Sequence, residues 1–292
     1  MGKIWFITGA GRGIGMAIAR SALEAGHRVV ATGRNAADLA ATFAPYGDKV
    51  LCVHLDVAQE PQSAVAVARA VDHFGRIDVL VNNAGYGQLG LFEEVPSTAV
   101  DQQFQTNVFG LMHVTRAVLP LMRRQRSGHI FNLASIGGFM GFESSSVYCA
   151  AKFAVEGFSE SLALEVERFG IHVTIVEPGF FRTDFLDASS VRYGSGRIGD
   201  YGDPQGPPRA DYETYNHRQP GDPARLGRVL VQVAELARPP LHLLAGSDAV
   251  AYANSAVERR QAEIAAHAAL SASTDFLPDE VEAGNDASST PC

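Results

Sequence analysis

Short apolar runs alternate with helical patterns along most of the chain. The spacing of apolar positions predicts helices over 13–25, 60–74, 98–125, 147–169 and 223–237. Apolar runs predict strands over 3–8, 27–32, 49–55, 78–83, 129–134, 172–177 and 241–246. Several of these runs are apolar on both alternating faces, which is typical of strands covered on both sides. The alternation predicts an α/β fold, in which a doubly wound parallel sheet of seven strands forms a single domain.

Two regions depart from this alternation. Residues 186–223 are rich in glycine and proline, and a loop of this length inside a domain is usually a binding segment or a lid. We therefore expect a domain spanning 1–250, with 186–223 as its binding loop or lid. Beyond it, the sequence predicts a C-terminal helix over 251–270 and a flexible acidic tail over 271–292.

Composition narrows the classes of function. With 46% apolar and 19% charged residues, the chain has the composition of a soluble globular protein. Its net charge of −8 argues against nucleic acid as a partner, because nucleic-acid binding requires a basic face. No apolar run approaches about 20 residues, and the chain does not begin with a signal-peptide pattern. We therefore expect a cytoplasmic protein that is not a membrane protein.

The cysteines give no sign of a metal centre. Cys52, Cys149 and Cys292 are scattered, without a C-x-x-C pair or metal-binding spacing, so the sequence predicts no metal site. Scattered, unpaired cysteines suit a reducing compartment, in which a buried cysteine behaves as a small apolar residue.

A glycine-rich turn, "TGAGRGIG" at 8–15, follows the first strand and opens the first helix. Gly9, Gly13 and Gly15 allow the backbone to turn sharply and to approach a phosphate group closely. The helix N-terminus offers N–H groups and a positive dipole end to that anion. A tight turn without a ligand is the alternative. Its position after the first strand of a parallel sheet favours a dinucleotide site.

Tyr148 and Lys152 are four residues apart in a predicted helix and therefore share a face. A free tyrosine has a pKa of about 10 and is a poor base at neutral pH. A nearby positive charge lowers such a pKa by about 1–3 units, which would make the pair an acid/base near neutral pH. The alternative is a half-buried tyrosine beside a lysine that extends to solvent.

Three motifs together resemble the short-chain dehydrogenase/reductase family. They are the G-x-x-x-G-x-G turn, "NNAG" at 82–85 and Tyr148-x-x-x-Lys152, in the order and at the spacing of that family. The resemblance covers about residues 3–250. It implies a Rossmann fold and hydride transfer between a nicotinamide and a carbonyl or alcohol carbon, with carbonyl reduction the expected direction. The protein would bind and orient a cofactor that carries the hydride.

The resemblance also implies roles for individual residues. The catalytic set would be Asn107, which holds a water beside the lysine, Ser135, which orients the substrate oxygen, and the pair Tyr148 and Lys152. The serines at 144–146 are expected to cap the helix that follows. The expected cofactor-binding residues, which include the tyrosine and lysine, are Gly9, Gly11, Arg12, Gly13, Ile14, Gly15, Arg34, Asp56, Val57, Asn83, Ala84, Gly85, Tyr148, Lys152, Pro178, Gly179 and Thr183.

Charge at the end of the second strand indicates the cofactor. An NAD site would place a carboxylate there to accept from the ribose 2′-hydroxyl. The sequence instead has Gly33 and Arg34, and Arg12 in the glycine turn is a second candidate guanidinium. Two arginines could form charge-assisted hydrogen bonds with a 2′-phosphate. We therefore expect NADP(H) to be preferred over NAD(H), although each arginine alone could be a solvated surface residue.

The substrate is expected to be a lipophilic ketone, aldehyde or alcohol, since apolar pockets accept such ligands. The residues expected to border the pocket are Phe139, Met140, Phe142, Phe180, Phe181 and Phe185, although some could pack the lid instead. The sequence also resembles the hydroxysteroid and retinol dehydrogenase branch of the family. Two other functions stay open, a nucleotide-sensing regulator and a nucleotide-sugar epimerase or dehydratase. By resemblance, the helices over 98–125 and 147–169 would pair in a homodimer or homotetramer.

Overall fold

Seven parallel strands form the main sheet, flanked by helices in a Rossmann-like domain. The nine strands in the described part of the chain are β1 Ile4–Ile7, β2 Arg28–Gly33, β3 Val50–His54, β4 Val79–Asn82, β5 Gly87–Leu89, β6 Gly128–Leu133, β7 Ile171–Pro178, β8 Val191–Tyr193 and β9 His242–Ala245. The main sheet has the order β3-β2-β1-β4-β6-β7-β9, and β5 pairs with β8 in a second, parallel sheet. The predicted fold class is confirmed.

Nine α-helices connect and cover these strands in the part of the chain that the structure describes. They are α1 Gly13–Glu24, α2 Ala36–Phe43, α3 Glu60–Phe74, α4 Ser97–Phe104, α5 Gly110–Gln125, α6 Ile136–Phe139, α7 Ser146–Val166, α8 Pro223–Val233 and α9 Ser247–Ala272. The sequence analysis did not predict α2, α6 or the small sheet. Asn35 begins α2, where its side chain accepts hydrogen bonds from the backbone of Ala37 and Asp38.

The main sheet buries apolar side chains on both faces. Trp5 and Ile7 of β1 belong to the core shared with α1 and α8, whereas Phe6 belongs to the core shared with α3, α5 and α7. Successive side chains of a strand point to opposite faces, so a strand covered on both sides is apolar at every position. This geometry explains why β1 reads as a continuous apolar run.

The helix predicted over 98–125 is interrupted at its centre. A π-helical turn over Gln105–Phe109 separates α4 from α5. Such wide turns are rare and often occur at functional sites. The turn carries Asn107, one of the expected site residues.

The structure is a computed structural model that describes residues 2–187, 190–196, 198–201 and 214–276. Parts of the predicted lid, 188–189, 197 and 202–213, and most of the predicted tail, 277–292, lie outside the described residues. The chain divides into two compact units, Met1–Val250 and Ala251–Cys292. Helix α9 continues through the residues predicted as a C-terminal helix. No described helix combines the length and apolarity that a membrane crossing requires.

Candidate active site

Tyr148 and Lys152 lie on one face of α7, as their spacing predicts. Tyr148 is half-buried in the first turn, and Lys152 is buried one turn later. The Lys152 ammonium lies 5.8 Å from the centre of the Tyr148 ring and donates a hydrogen bond of 2.6 Å to the carbonyl of Leu133. The phenol and the ammonium therefore adjoin the end of β6.

Burial lowers the pKa of Lys152 to about 8, and the carboxyl group of Glu156 opposes this shift. Desolvation disfavours the charged form of a buried amine. A group with a pKa of about 8 is still mainly protonated at neutral pH. Lys152 therefore presents a positive charge to Tyr148 near neutral pH.

Ser135 and the Tyr148 ring both lie beside Gly137. It follows β6 and begins α6, where its Oγ accepts a 3.1 Å hydrogen bond from the backbone N–H of Gly137. A Cβ added at Gly137 would lie 3.3 Å from Tyr148 Cε1 and 3.6 Å from Ser135 Oγ. The glycine therefore avoids close contact with both side chains, and Ser135, whose Oγ accepts from Gly137, still has its hydroxyl proton to donate.

The side-chain amide of Asn107 binds the loop after β4. Its Oδ1 accepts from the Tyr86 N–H at 3.2 Å, and its Nδ2 donates to the Tyr86 carbonyl at 2.9 Å. These contacts hold the loop against the π-helical turn. They give Asn107 a positioning role, and its expected contact with a water beside Lys152 stays a prediction.

The expected helix cap at 144–146 is only partly correct. Ser145 occupies the N-cap position of α7 but makes no side-chain capping hydrogen bond. Its hydroxyl instead donates to the carbonyl of Glu143 at 3.3 Å.

A buried chain of polar side chains holds α7 against the sheet. Asn82 Nδ2 at the end of β4 donates to Thr115 Oγ1 of α5 and to Asn132 Oδ1 of β6, each at 2.9 Å. Asn132 Nδ2 then donates to Ser159 Oγ of α7 at 2.8 Å. Hydrogen bonds between buried polar side chains define the relative placement of the elements that carry them. The first asparagine of "NNAG" thus helps to position the helix that bears Tyr148.

The glycine turn packs against the second asparagine of "NNAG". Asn83 Nδ2 donates to the carbonyl of Gly9 at 3.1 Å, and Gly9 has a positive φ of 64°. A Cβ at Gly15 would overlap Asn83 Nδ2 and the Gly9 carbonyl. Gly15 is buried and does not line the cavity described below. Its predicted contact with the cofactor stays a prediction, and the structure shows that it packs against Asn83 and Gly9.

The remaining expected site residues line one cavity of about 880 Å³. They are Gly9, Gly11, Arg12, Gly13, Ile14, Arg34, Asp56, Val57, Asn83, Ala84, Gly85, Asn107, Ser135, Tyr148, Lys152, Pro178, Gly179 and Thr183. The cavity therefore extends from the glycine turn and the end of β2 to the Tyr148 ring.

The glycine turn fits an anionic group of a dinucleotide. Arg12 at the N-cap of α1 makes no side-chain capping bond, and the first turn contains no acidic residue. The first N–H groups of a helix have no intrahelical partner and can bind an anion. A Cβ at Gly11 would meet only Leu39, at 3.6 Å, and Thr183 lies beside Gly13. The turn thus leaves room for a phosphate group.

The two expected 2′-phosphate ligands lie at the same end of the cavity. Arg12 and Arg34 are both exposed and both line it. Asp38 lines the same end, where its carboxylate accepts a 2.6 Å hydrogen bond from Asn35 Nδ2. Asp56, expected at the adenine, accepts from the N–H of Ala58 at 3.1 Å.

Comparison with known proteins identifies the family. A sequence model described as short chain dehydrogenase matches residues 3–193, which is more than half of the chain. The chain belongs to the short-chain dehydrogenase family. It is therefore an oxidoreductase of that family, as the three motifs predict.

Curated relatives agree with the family model. The dehydrogenase is similar to Oxidoreductase BOA17 of Botryotinia fuckeliana, with 39% identity over 263 residues, covering 88% of this chain and 94% of that protein. It is also similar to a 3-ketodihydrosphingosine reductase of Bacteroides thetaiotaomicron, with 41% identity over 201 residues, covering 69% of this chain and 72% of that protein.

Solved structures share the fold. A short-chain dehydrogenase from Streptomyces avermitilis has a TM-score of 0.87 and 38% identity, covering 94% of this chain and all of that one. A relative from Burkholderia phymatum in complex with NAD has a TM-score of 0.75 and 26% identity, covering 87% and 92%. A serine dehydrogenase complexed with NADP+ has a TM-score of 0.71 and 29% identity, covering 82% and 93%.

Aromatic side chains form a wall of the dehydrogenase's cavity beside Tyr148. Phe142, Phe180, Phe181 and Phe185 line it, and the Phe185 ring lies 5.7 Å from that of Tyr148. The other two expected residues, Phe139 and Met140, do not line the cavity. That expectation was wrong because the chain leaves the cavity at α6 and returns at Phe142.

Arg192 and Tyr86 are among the cavity residues of the dehydrogenase that were not predicted. The Arg192 guanidinium lies 4.7 Å from the centre of the Tyr86 ring, and it donates to Gln102 Oε1 at 2.9 Å. Arg192 in β8 and Tyr86 directly before β5 both line the cavity. They meet because β8 pairs with β5, and no local sequence pattern connects segments so far apart.

Proposed function

We propose that this enzyme interconverts a carbonyl group and an alcohol of a lipophilic substrate with NADP(H), and that Tyr148 is its general acid/base. The observation that carries this proposal is the convergence of Tyr148, Lys152 and Ser135 on one end of the cavity whose other end is the glycine turn. Carbonyl reduction is the proposed direction.

Each of the three side chains has a definite task. Ser135 donates a hydrogen bond to the substrate oxygen and orients it toward Tyr148. Tyr148 gives its Oη proton to that oxygen during reduction and takes it back during oxidation. The positive charge of Lys152 favours the phenolate that remains. When bound, the nicotinamide cofactor supplies or accepts the hydride, so that the proton and the hydride together balance the reaction.

The preference for NADP(H) is supported by charge at one end of the cavity. Arg12 and Arg34 line that end. The end of β2 carries Gly33 and Arg34, where an NAD site would have an aspartate or a glutamate. Among the solved relatives one contains NAD and another NADP+, so the family alone does not decide the preference. The residues that would hold the remainder of the cofactor are those of the glycine turn, Asp56, Asn83, Lys152, Gly179 and Thr183.

A lipophilic substrate is supported by the aromatic wall beside Tyr148. One relative is named for the reduction of 3-ketodihydrosphingosine, a ketone on a long alkyl chain. The substrate class we propose is therefore ketones or aldehydes with a large apolar substituent.

We also propose a cytoplasmic homodimer or homotetramer that pairs through α5 and α7. Exposed apolar residues on and beside these helices, Phe109, Phe153 and Leu164, support the pairing. The free cysteines Cys52 and Cys149 suit a reducing compartment.

Oxidation of NADPH and of NADH, measured against ketones and aldehydes of increasing alkyl and aromatic size, tests the proposal. We expect activity with NADPH that rises with the apolar size of the substrate. Tyr148→Phe should lower kcat by about 100-fold or more, whereas Tyr46→Phe, outside the cavity, should have little effect. Preference for NADH, or a loss below about tenfold in Tyr148→Phe, would refute the assignment.

A further inference from the structure

Three side chains of types that bind metal ions come from separate elements and meet near Lys152. Glu156 lies on α7 one turn after Lys152, Glu177 lies near the end of β7, and His242 begins β9. One ligand atom from each lies within 4.8 Å of those from the other two. The pairing of β7 with β9 brings the histidine to this position.

The two carboxyl groups are buried and incompletely satisfied. Glu177 is 0% exposed and Glu156 is 8% exposed. Glu177 Oε2 and Glu156 Oε1 have no hydrogen-bond partner among the residues that the structure describes. The Glu177 carboxyl group is directed at the cluster, since its Oε1 lies 3.3 Å from His242 Nδ1. Two buried carboxylates this close require a proton or a cation to offset their repulsion.

The separations of the ligand atoms suit a small metal ion. His242 Nδ1 lies 3.3 Å from Glu177 Oε1 and 3.8 Å from Glu156 Oε2. Two ligand atoms bound tetrahedrally to zinc at about 2.1 Å are about 3.4 Å apart. We propose that Glu156, Glu177 and His242 form a binding site for a divalent cation, and that zinc is the ion this nitrogen and oxygen ligand set favours.

The second nitrogen of the histidine ring supports this assignment. His242 Nε2 lies 3.6 Å from Glu160 Oε1, one turn farther along α7. A metal-ligating histidine usually presents its other N–H to a carboxylate or carbonyl, which orients the ring. Glu160 can serve as that partner and leave Nδ1 for the metal.

The site is open to solvent on one side. The His242 side chain is 41% exposed, whereas that of Glu177 is 1% exposed. A cation can therefore enter at the histidine and reach the buried carboxylates. Once bound, it joins the edge strand β9 to α7 and offsets the charges of the two carboxylates, of which Glu156 lies one turn from Lys152.

Zinc binding by the full chain tests the proposal. The protein, without a histidine tag, is treated with EDTA, dialysed into metal-free buffer and titrated with ZnCl₂ by calorimetry near neutral pH. Bound metal is then counted by mass spectrometry. We expect one tightly bound zinc ion per chain that the variants below remove, release of protons on binding, and a higher thermal unfolding midpoint with zinc than with EDTA.

Variants distinguish zinc binding at this site from zinc binding by other side chains of the protein. Glu177→Gln and His242→Asn should each weaken zinc binding more than about tenfold, and Glu160→Gln should weaken it less. His242 is half-exposed on an edge strand, so His242→Asn tests the site even if Glu177→Gln does not fold. The matched control is His217→Asn, because His217 forms a similar but exposed group with Asp184 and Asp187.

Three results would overturn the proposal. The first is that the wild-type protein binds no zinc, which would mean that a shared proton neutralises Glu156 and Glu177. The second is that His242→Asn binds zinc as tightly as the wild-type protein does. The third is that His217→Asn, and not His242→Asn, removes the bound ion. Each readout is independent of enzymatic activity, so failure here leaves the proposed oxidoreductase function standing.

Discussion

Lys152 and Glu156 lie one helical turn apart on the buried face of α7, and burial brings the pKa values of both to about 8. The shifts have opposite directions because burial penalises the charged form of each group. Near neutral pH, Lys152 is therefore mainly charged and Glu156 mainly neutral. Both groups change charge as pH rises through the same interval.

The activity should depend on the charge of Lys152. Because the pKa of Lys152 is lowered to about 8, the amine loses its proton as pH rises above that value. We expect kcat/KM for carbonyl reduction to fall above about pH 8. The measurement is a pH profile of the initial rate, and Lys152→Met should lack activity across it. A wild-type profile that stays flat from about pH 7 to about pH 10 would contradict this role.

The stability of the fold should depend on the charge of Glu156. Burial, together with Glu177 and Glu160, raises the pKa of Glu156 from 4.5 to about 8, and Lys152 opposes the shift. The folded state therefore holds a proton that the unfolded state has lost between these pH values. The free energy of unfolding should fall as pH rises through that interval.

Urea unfolding in EDTA at a series of pH values measures this dependence. Glu156→Gln should flatten the curve between about pH 5 and pH 8, because its neutral amide cannot ionise. Glu165→Gln, also on α7 but not in this cluster, provides the control. Equal slopes for wild-type protein and Glu156→Gln would show that the buried carboxyl does not titrate in this range.

Cofactor preference should depend on Arg12 and Arg34. A hydrogen bond to a charged group contributes about 1.5–3 kcal/mol, so Arg34→Gln should raise the KM for NADPH by about tenfold or more. The KM for NADH should change little, and Arg12→Gln should have the same selective effect. Arg69→Gln on α3 serves as the control. If both cofactors were affected equally, the arginines would not contact the 2′-phosphate.

Packing at the glycine turn should be sensitive to a single methyl group. A Cβ at Gly15 would overlap Asn83 and the Gly9 carbonyl, whereas a Cβ at Gly11 would meet only Leu39 at 3.6 Å. Gly15→Ala should therefore lower the free energy of unfolding by about 1–3 kcal/mol. Gly11→Ala should change it little. Denaturant unfolding of the two variants measures the difference, and equal stabilities would mean that the turn relaxes around the added group.

Local patterns predicted the elements that carry the candidate chemistry. A spacing of four residues places Tyr148 and Lys152 on one face of any α-helix, because the helical repeat is 3.6 residues. The position of the glycine turn after β1 could be predicted because the sequence pattern changes there from that of a buried strand to that of a helix. The prediction of one continuous helix over 98–125 missed the π-helical turn at Asn107, whose side chain contacts the distant loop at Tyr86.

Other features depended on which distant segments meet. Arg192 reaches Tyr86 only through the pairing of β8 with β5. Glu177 and His242 are 65 residues apart in the chain, and neither belongs to a metal-binding spacing. A pattern-based search for metal ligands therefore could not find them.

The sequence by itself determined the backbone conformation of most elements and the faces that they bury, because helix and strand periods act over a few residues. Only the tertiary structure decided the order of the strands, the packing role of Gly15 and the meeting of Glu156, Glu177 and His242. The physical reason is that proximity between distant residues follows from the packing of whole elements against one sheet, which no local spacing encodes.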